Sequence, residues 1–365
     1  MKTIHVIDLD SILHIGSKSG HGSKFNIHSI PTGGIFHLLN VLKKTRVFED
    51  PTNNKLIFTR DFRENFRREI FPEYKGNRNQ TETYKILSKG VRLQKEIIEK
   101  VLVDCGFLVF NNPEYAGYES DDVAFNIALH YACNYFEELM NGGLTLEFYT
   151  SDEDWVGILG LAPRFYLSYA VNGHTLSDVR TAEDYYSVKG HRVQEIYWRK
   201  AVEGDKSDNY PGFGSVIRQH GINSYDIITL PEIQNYYWQK YWDSSFWLQT
   251  IYKYYGYHEV YKEIETQINL AYPIYMPQIF QMPLNQMLNI QINWAPLKRL
   301  TNDLRIKTLE KYLGPLEPYN PEALKFYISM YGGEYKDVLE YFKQIQYSPQ
   351  QVISAEGVDK AFNRI

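Results

Sequence analysis

Cysteine is nearly absent: Cys105 and Cys133 are the only two in 365 residues. Two thiols exclude a disulfide framework and show no metal-ligand spacing, which predicts a reducing, cytoplasmic setting. Long apolar runs are missing too, so no segment reads as a membrane span. The opening MKTIHVIDLDSILH lacks the basic start, apolar stretch and small-residue cleavage site of a secretory leader. The ten histidines contain no His-x3-His or Glu-x-x-His pair, which argues against a histidine-ligated metal. Most telling, residues 101–160 contain 11 Asp/Glu and no Lys or Arg.

The acidic block follows a basic one. Residues 55–100 carry 12 Lys/Arg against 7 Asp/Glu. A solvated surface mixes its signs, whereas adjacent blocks suit a phosphate-gripping surface beside a cation-binding pocket. Tyrosine is abundant, with 31 residues, and aromatics make up 15% of the chain. At 44% hydrophobic and 23% charged, the composition is that of a globular protein with room for two or three domains.

Short runs rich in β-branched and aromatic residues occur at 4–7, 56–59, 107–110, 146–150 and 165–170. Between them lie stretches of helical periodicity, such as 91–103 and 123–140. Alternation of this kind predicts a mostly parallel sheet covered by helices, with ligands bound outside the carboxyl ends of the strands. Asp8, Asp61 and Asp152 each follow such a run. Past residue 200 the alternation stops. The reading is a domain over 1–200, a helical, aromatic domain over 201–275 and a mainly helical extension over 276–365. The segment 225–261, with 9 Tyr and 3 Trp, suits helix packing better than base stacking. GSKSGHGSK at 16–24 lacks phosphate-loop spacing and reads as a surface loop.

The carboxylates come in groups: Asp8 and Asp10; Glu119, Asp121 and Asp122 in E-S-D-D; Asp152 and Asp154 in S-D-E-D; Asp205 and Asp208 in E-G-D-K-S-D-N. Clustered acids repel unless a multivalent cation or strong hydrogen bonds compensate. Oxygen ligands select Mg²⁺ or Mn²⁺, and this many suit two such ions. Each group taken alone also reads as a helix cap or an Asx turn.

In order along the chain, HVIDLDSILH, RDFRENFRREIFPEYKGNR, GYESDDVAFNIA, TSDEDW and EGDKSDNYPGFG resemble five motifs of the 5′-nuclease superfamily, which includes flap endonucleases and phage ribonuclease H/5′-exonucleases. The resemblance spans about residues 1–221 and implies a PIN-like α/β fold with a helical arch and a helix-hairpin-helix domain. It implies that Asp8, Asp61, Glu119 and Asp121 build one metal site, and that Asp122, Asp152, Asp154, Asp205 and Asp208 build or support a second. Lys75 and Arg78 would reach the scissile phosphate from the base of the arch, with Arg67, Tyr74, Gly212 and Gly214 on the nucleic acid. Three features depart from the pattern. Asp10 stands where Ser or Asn is usual, Ser120 replaces Ala, and the turn at 211–217 is short and lacks a Lys-Thr pair.

These motifs predict a two-metal 5′→3′ exonuclease or flap endonuclease. Its expected substrates are DNA with 5′ ends or flaps and RNA–DNA hybrid. Primer or flap removal in phage replication, in the host cytoplasm and as a monomer, follows from the resemblance. A PIN-type endoribonuclease and a catalytically silent nucleic-acid-binding factor are the alternatives. For 276–365, with basic residues Lys298, Arg299, Arg305, Lys307 and Lys311, the readings are a duplex grip, a partner contact, such as a single-strand-binding protein or sliding clamp, or packing on the core.

Overall fold

The computed structural model describes residues 1–18, 26–27, 30–31, 33–62, 64–77, 82–169, 176–219, 244–255 and 259–301. Arg78, Arg305, Lys307, Lys311, most of the aromatic stretch 225–261 and the helical patterning expected beyond 301 lie outside them.

The strands are β1 (Lys2–Asp8), β2 (Asn26–Ile27), β3 (Ile30–Pro31), β4 (Asn54–Thr59), β5 (Leu108–Val109), β6 (Leu144–Thr150) and β7 (Phe165–Tyr169). The helices through residue 219 are α1 (Leu9–Lys18), α2 (Gly33–Lys44), α3 (Phe66–Ile70), α4 (Glu82–Cys105), α5 (Ser120–Asn134), α6 (Phe136–Asn141), α7 (Ala182–Lys189), α8 (Ile196–Glu203) and α9 (Phe213–Gln219). Helices at Ser244–Tyr255, Glu259–Ala271, Pro277–Phe280 and Leu284–Met287 follow. Each expected strand is present. The helical run expected over 123–140 is two helices, because Tyr135 leaves helical geometry at φ −133°, ψ 30°.

Contacts divide the chain into two compact units. The first comprises Met1–Ile12, Thr52–Ile86 and Phe110–Gln286; the second comprises Leu13–Pro51, Leu87–Val109 and the chain from Met287.

Within the first unit four parallel strands lie in the order β4-β1-β6-β7. Asp8 pairs with Thr59 and Ile7 with Tyr149, so β1, β4 and β6 end at the same level. The strands are near-continuous apolar runs, as sheets covered on both faces require: Ile4, Val6, Ile7, Ile57, Phe58, Leu146 and Phe148 are fully buried. That common edge carries Asp8, Asp61 and Asp152 together.

The boundary expected at 275/276 falls inside this unit. Met276, Ile279 and Leu284 have no exposed surface. The segment is also tied to α5: Asn126 donates to the Ile274 carbonyl at 2.8 Å and accepts from the Met276 amide at 2.8 Å. His130 lies 2.8 Å from the Phe280 carbonyl. The prolines of YPIYMPQIFQMP thus break the helix, while the apolar residues between them fill a groove on α5.

In the second unit Gln94 of α4 is fully buried and organises the helix junction. Its carbonyl oxygen accepts from the amides of Gly34 and Ile35 at 2.9 and 3.2 Å, and its amide donates to Ser17 at 2.9 Å. These bonds meet the requirement that a buried amide be satisfied.

Candidate functional site

The acidic residues belong to the first unit and converge beyond the strand ends. Asp8 closes β1 and is 4% exposed; its carboxylate accepts from the Ser11 amide at 3.1 Å and the Thr150 hydroxyl at 2.9 Å. Asp61 accepts from the Ser120 amide at 2.9 Å, and its own amide donates to Asp10 at 2.8 Å. Burial first, then the charges of Asp61 and Asp10, pushes Asp8 well above the ordinary carboxylate range. Burial and Asp10 likewise raise Asp61.

A second group faces it. Asp121 accepts from the Trp155 indole N–H at 2.6 Å. Burial, then Asp152 and Asp154, raises Asp121 well above its ordinary value. Asp154, Asp205 and Asp208 each offer an oxygen within 4.8 Å of the others. The structure therefore ties Asp121 electrostatically to the Asp152–Asp154 group rather than to Asp8 and Asp61 alone.

Capping and clustering turn out to be one design. Asp152 caps the turn Glu153–Gly160 through the Asp154 amide at 3.0 Å. Asp205 accepts from the amide and hydroxyl of Ser207 at 2.7 and 2.6 Å with Oδ1, leaving Oδ2 to face the site. An oxygen spent on the local backbone fixes the carboxylate for its other partner.

Lys75 is held among these acids by backbone geometry. Its φ is +56°, a conformation that costs a non-glycine residue about 1 kcal/mol or more. The loop around it is stitched to the Asp205–Asp208 loop. The Lys75 amide donates to the Asp208 carbonyl at 2.8 Å, Asn209 to the Glu73 carbonyl at 2.8 Å, and Asn77 to the Lys206 carbonyl at 2.8 Å. Tyr74 and Tyr210 stack 6.3 Å apart across the same seam. The Lys75 ammonium contacts the Glu119 carboxylate and lies 4.0 Å from Asp208. Burial would raise Glu119, but Lys75 and Arg67 together hold it well below the ordinary range.

Five expected site residues are buried instead. Asp122 is fully buried, and Arg67 forks onto it with two 2.8 Å bonds. The Glu119 and Ile274 amides take its remaining lone pairs at 2.9 and 2.7 Å, which leaves none for a cation. Arg67 is 4% exposed and also donates to the carbonyls of Leu270 and Tyr272 at 3.1 and 3.0 Å, so it is a clamp inside the protein rather than a nucleic-acid contact. Tyr74 is 2% exposed, its hydroxyl shared between Glu119 at 2.9 Å and Asp208 at 2.8 Å, and it cannot stack on a base. Gly212 is buried at φ +71°, and its amide donates to Gln267 at 3.0 Å instead of facing phosphate. Gly214 is buried in the first turn of α9.

Sequence reasoning missed Lys200. Its ammonium contacts Asp154 and lies 2.6 Å from Asp205. Burial alone would lower it, but Asp154, Asp152 and Asp205 together raise it well above the ordinary lysine range. Asp205 is held at about 2: burial would raise it, and Lys200 overrides that. A lysine near the end of an amphipathic helix reads as a solvated dipole partner; only its spacing, five residues before Asp205, hints otherwise.

The donors of both groups are carboxylates, without thiolate or imidazole. Asp8, Asp61, Asp121 and Asp154, pushed up by burial and by neighbouring carboxylates, fit a hard divalent cation.

The sequence comparisons agree with this geometry. Residues 7–176 match the family model described as the 5′-3′ exonuclease, N-terminal resolvase-like domain. The match supports a 5′-nuclease superfamily reading of this region. DNA polymerase I of Caldicellulosiruptor bescii is 29% identical over 187 residues, 51% of this chain and 20% of the polymerase. DNA polymerase I of Bacillus caldotenax is 26% identical over 217 residues, 57% and 22% of the respective lengths. The chain thus spans about a fifth of the length of these curated relatives. Among solved structures, the T5 D15 protein co-crystallised with metal ions aligns with a TM-score of 0.43 and 19% identity, covering 74% of this chain and 100% of that one.

Proposed function

We propose that the protein is a divalent-metal-dependent 5′→3′ exonuclease and flap endonuclease that hydrolyses phosphodiesters near 5′ ends or junctions. The observation that carries this reading is the convergence of Asp154, Asp205 and Asp208, with ligand oxygens within 4.8 Å, beside Lys75; Lys75 and Asp154 lie within the residues matched to a 5′-3′ exonuclease domain. Asp8, Asp61 and Glu119 would hold one Mg²⁺ or Mn²⁺; Asp154, Asp205 and Asp208, with Asp121 and Asp152 adjoining, would hold a second. Bound there, the ions would supply charge neutralisation and an activated water.

The chain's own part is electrostatic. Lys75, fixed by its strained backbone and its stitched loop, presents an ammonium where charge grows on the phosphoryl oxygens. Arg78 is assigned the same task from sequence. Thr150, Ser11 and Trp155 orient Asp8 and Asp121 so that the carboxylates are arranged before substrate arrives. The acidic surroundings would repel a polyanion, so substrate entry depends on these cations.

The proposed substrates are DNA with 5′ ends or flaps and RNA–DNA hybrid, and the proposed role is removal of primers or flaps during phage replication. Cleavage of 5′-labelled flap, nicked-duplex and RNA–DNA substrates with Mg²⁺ or EDTA tests this. Release of short 5′ products with Mg²⁺ alone is expected. No cleavage, or cleavage confined to single-stranded RNA, would contradict it.

A further inference from the structure

We infer that Lys200 is an internal counter-cation of the second carboxylate group, which a divalent ion must displace, so that this residue sets the metal affinity of the site. The inference rests on the reading that Asp154, Asp205 and Asp208 hold such an ion. Lys200 sits on α8, whose buried face of Ile196, Tyr197, Trp198, Ala201 and Val202 fixes the helix against the unit. Its ammonium bridges two carboxylates from separate segments, Asp154 in the turn after β6 and Asp205 in the loop after α8. Those are two of the three residues whose oxygens approach within 4.8 Å. Its place is therefore the gap between would-be ligands, not the rim of the site.

Three facing carboxylates without a cation would drive one another apart. An ammonium between two of them holds the group assembled before metal arrives. The same ammonium competes with the metal, because two cations cannot share a gap between two carboxylates at hydrogen-bond distance. Lys200 is thus a positioning residue with a cost: it keeps the ligands in register and weakens the site it preserves. Once displaced it remains tethered beside the cleavage centre as a free positive charge.

The test is Mn²⁺ binding to the full chain without nucleic acid, by titration calorimetry, for the wild type, Lys200→Met and Lys200→Arg. Lys200→Met is expected to tighten one Mn²⁺ by about tenfold or more, the size by which one neighbouring charge shifts a carboxylate. Lys200→Arg, which keeps the charge, should bind like the wild type. The rise in Tm on adding Mn²⁺ should be larger in Lys200→Met, because its metal-free state has lost the bridge. Equal affinity and equal Tm rise in all three would overturn the inference while leaving the metal site standing. A wild type that binds no Mn²⁺ would overturn the underlying reading and this inference with it. Should Lys200→Met fail to fold, reductive methylation of wild-type Lys200, followed by mass spectrometry, gives the same answer. Labelling should increase along the Mn²⁺ binding curve, and labelling indifferent to Mn²⁺ would contradict displacement.

Discussion

Single side chains decide whether the acidic edge is a site or a repulsive accident, and two of them carry separable predictions. Lys75 contacts Glu119 in the free protein, and its proposed role is toward charge that appears only during reaction. Lys75→Ala should therefore slow single-turnover cleavage by roughly a hundredfold or more while changing substrate affinity little. A loss of affinity as large as the loss of rate would make Lys75 a binding residue only. Arg67 is the opposite case. It is buried against Asp122 and two carbonyls, so Arg67→Met should destabilise the fold by about 3–5 kcal/mol, the cost of stranding a buried partner. Lysine should not rescue it, because an ammonium cannot reproduce the paired fork. Any folded remainder should bind DNA with an unchanged salt dependence, as measured by titration across ionic strengths. A reduced slope would return Arg67 to the nucleic-acid surface.

Among the elements, strand ends were more legible than loops. The runs at 4–7, 56–59 and 146–150 are β-branched, aromatic and short, and their parallel pairing follows from alternation with helices; Asp8, Asp61 and Asp152 then had to share an edge. Contacts between loops distant in sequence were not legible. Nothing in YKGN or DKSDN announces that Lys75 bonds to the Asp208 backbone, or that Asn209 reaches Glu73. The resemblance made Asp122 a candidate ligand like its acidic neighbours; its partner Arg67 is 55 residues away. The Gly212 turn shows the same limit. A Pro-Gly dipeptide predicts a turn, but only packing shows a Cβ there meeting the Gly204 nitrogen at 2.2 Å and the Val202 carbonyl at 2.6 Å. Gly212→Ala should lower stability by more than about 1 kcal/mol, through both left-handed strain and this contact. Chemical denaturation measures it, and an unchanged midpoint would mean that the turn relaxes freely.

For the whole molecule, the sequence placed a boundary at 275/276 where the structure has packed core. Three prolines interrupt the helical pattern there and suggest a new segment, yet Met276, Ile279 and Leu284 are buried as deeply as the sheet. Truncation after Pro277 would strip that core, whereas truncation after Thr301 retains it. If residues 302–365, with Arg305, Lys307 and Lys311, help to grip duplex, as the spent Gly212 amide favours, the shorter chain should bind flap DNA more weakly and with a shallower salt slope. Identical affinity and slope would assign that segment to another task. At this scale the proposed function stands or falls with the converged carboxylates being a catalytic metal centre rather than a set of caps. The most direct measurement pairs 5′-flap cleavage in Mg²⁺ with flap binding by fluorescence anisotropy, for the wild type, Asp154→Asn and Asp205→Asn. The account predicts that both variants bind as tightly as the wild type or more so, since a repelling charge is gone, and that neither cleaves. Near-normal Mg²⁺-dependent cleavage by both variants would contradict it.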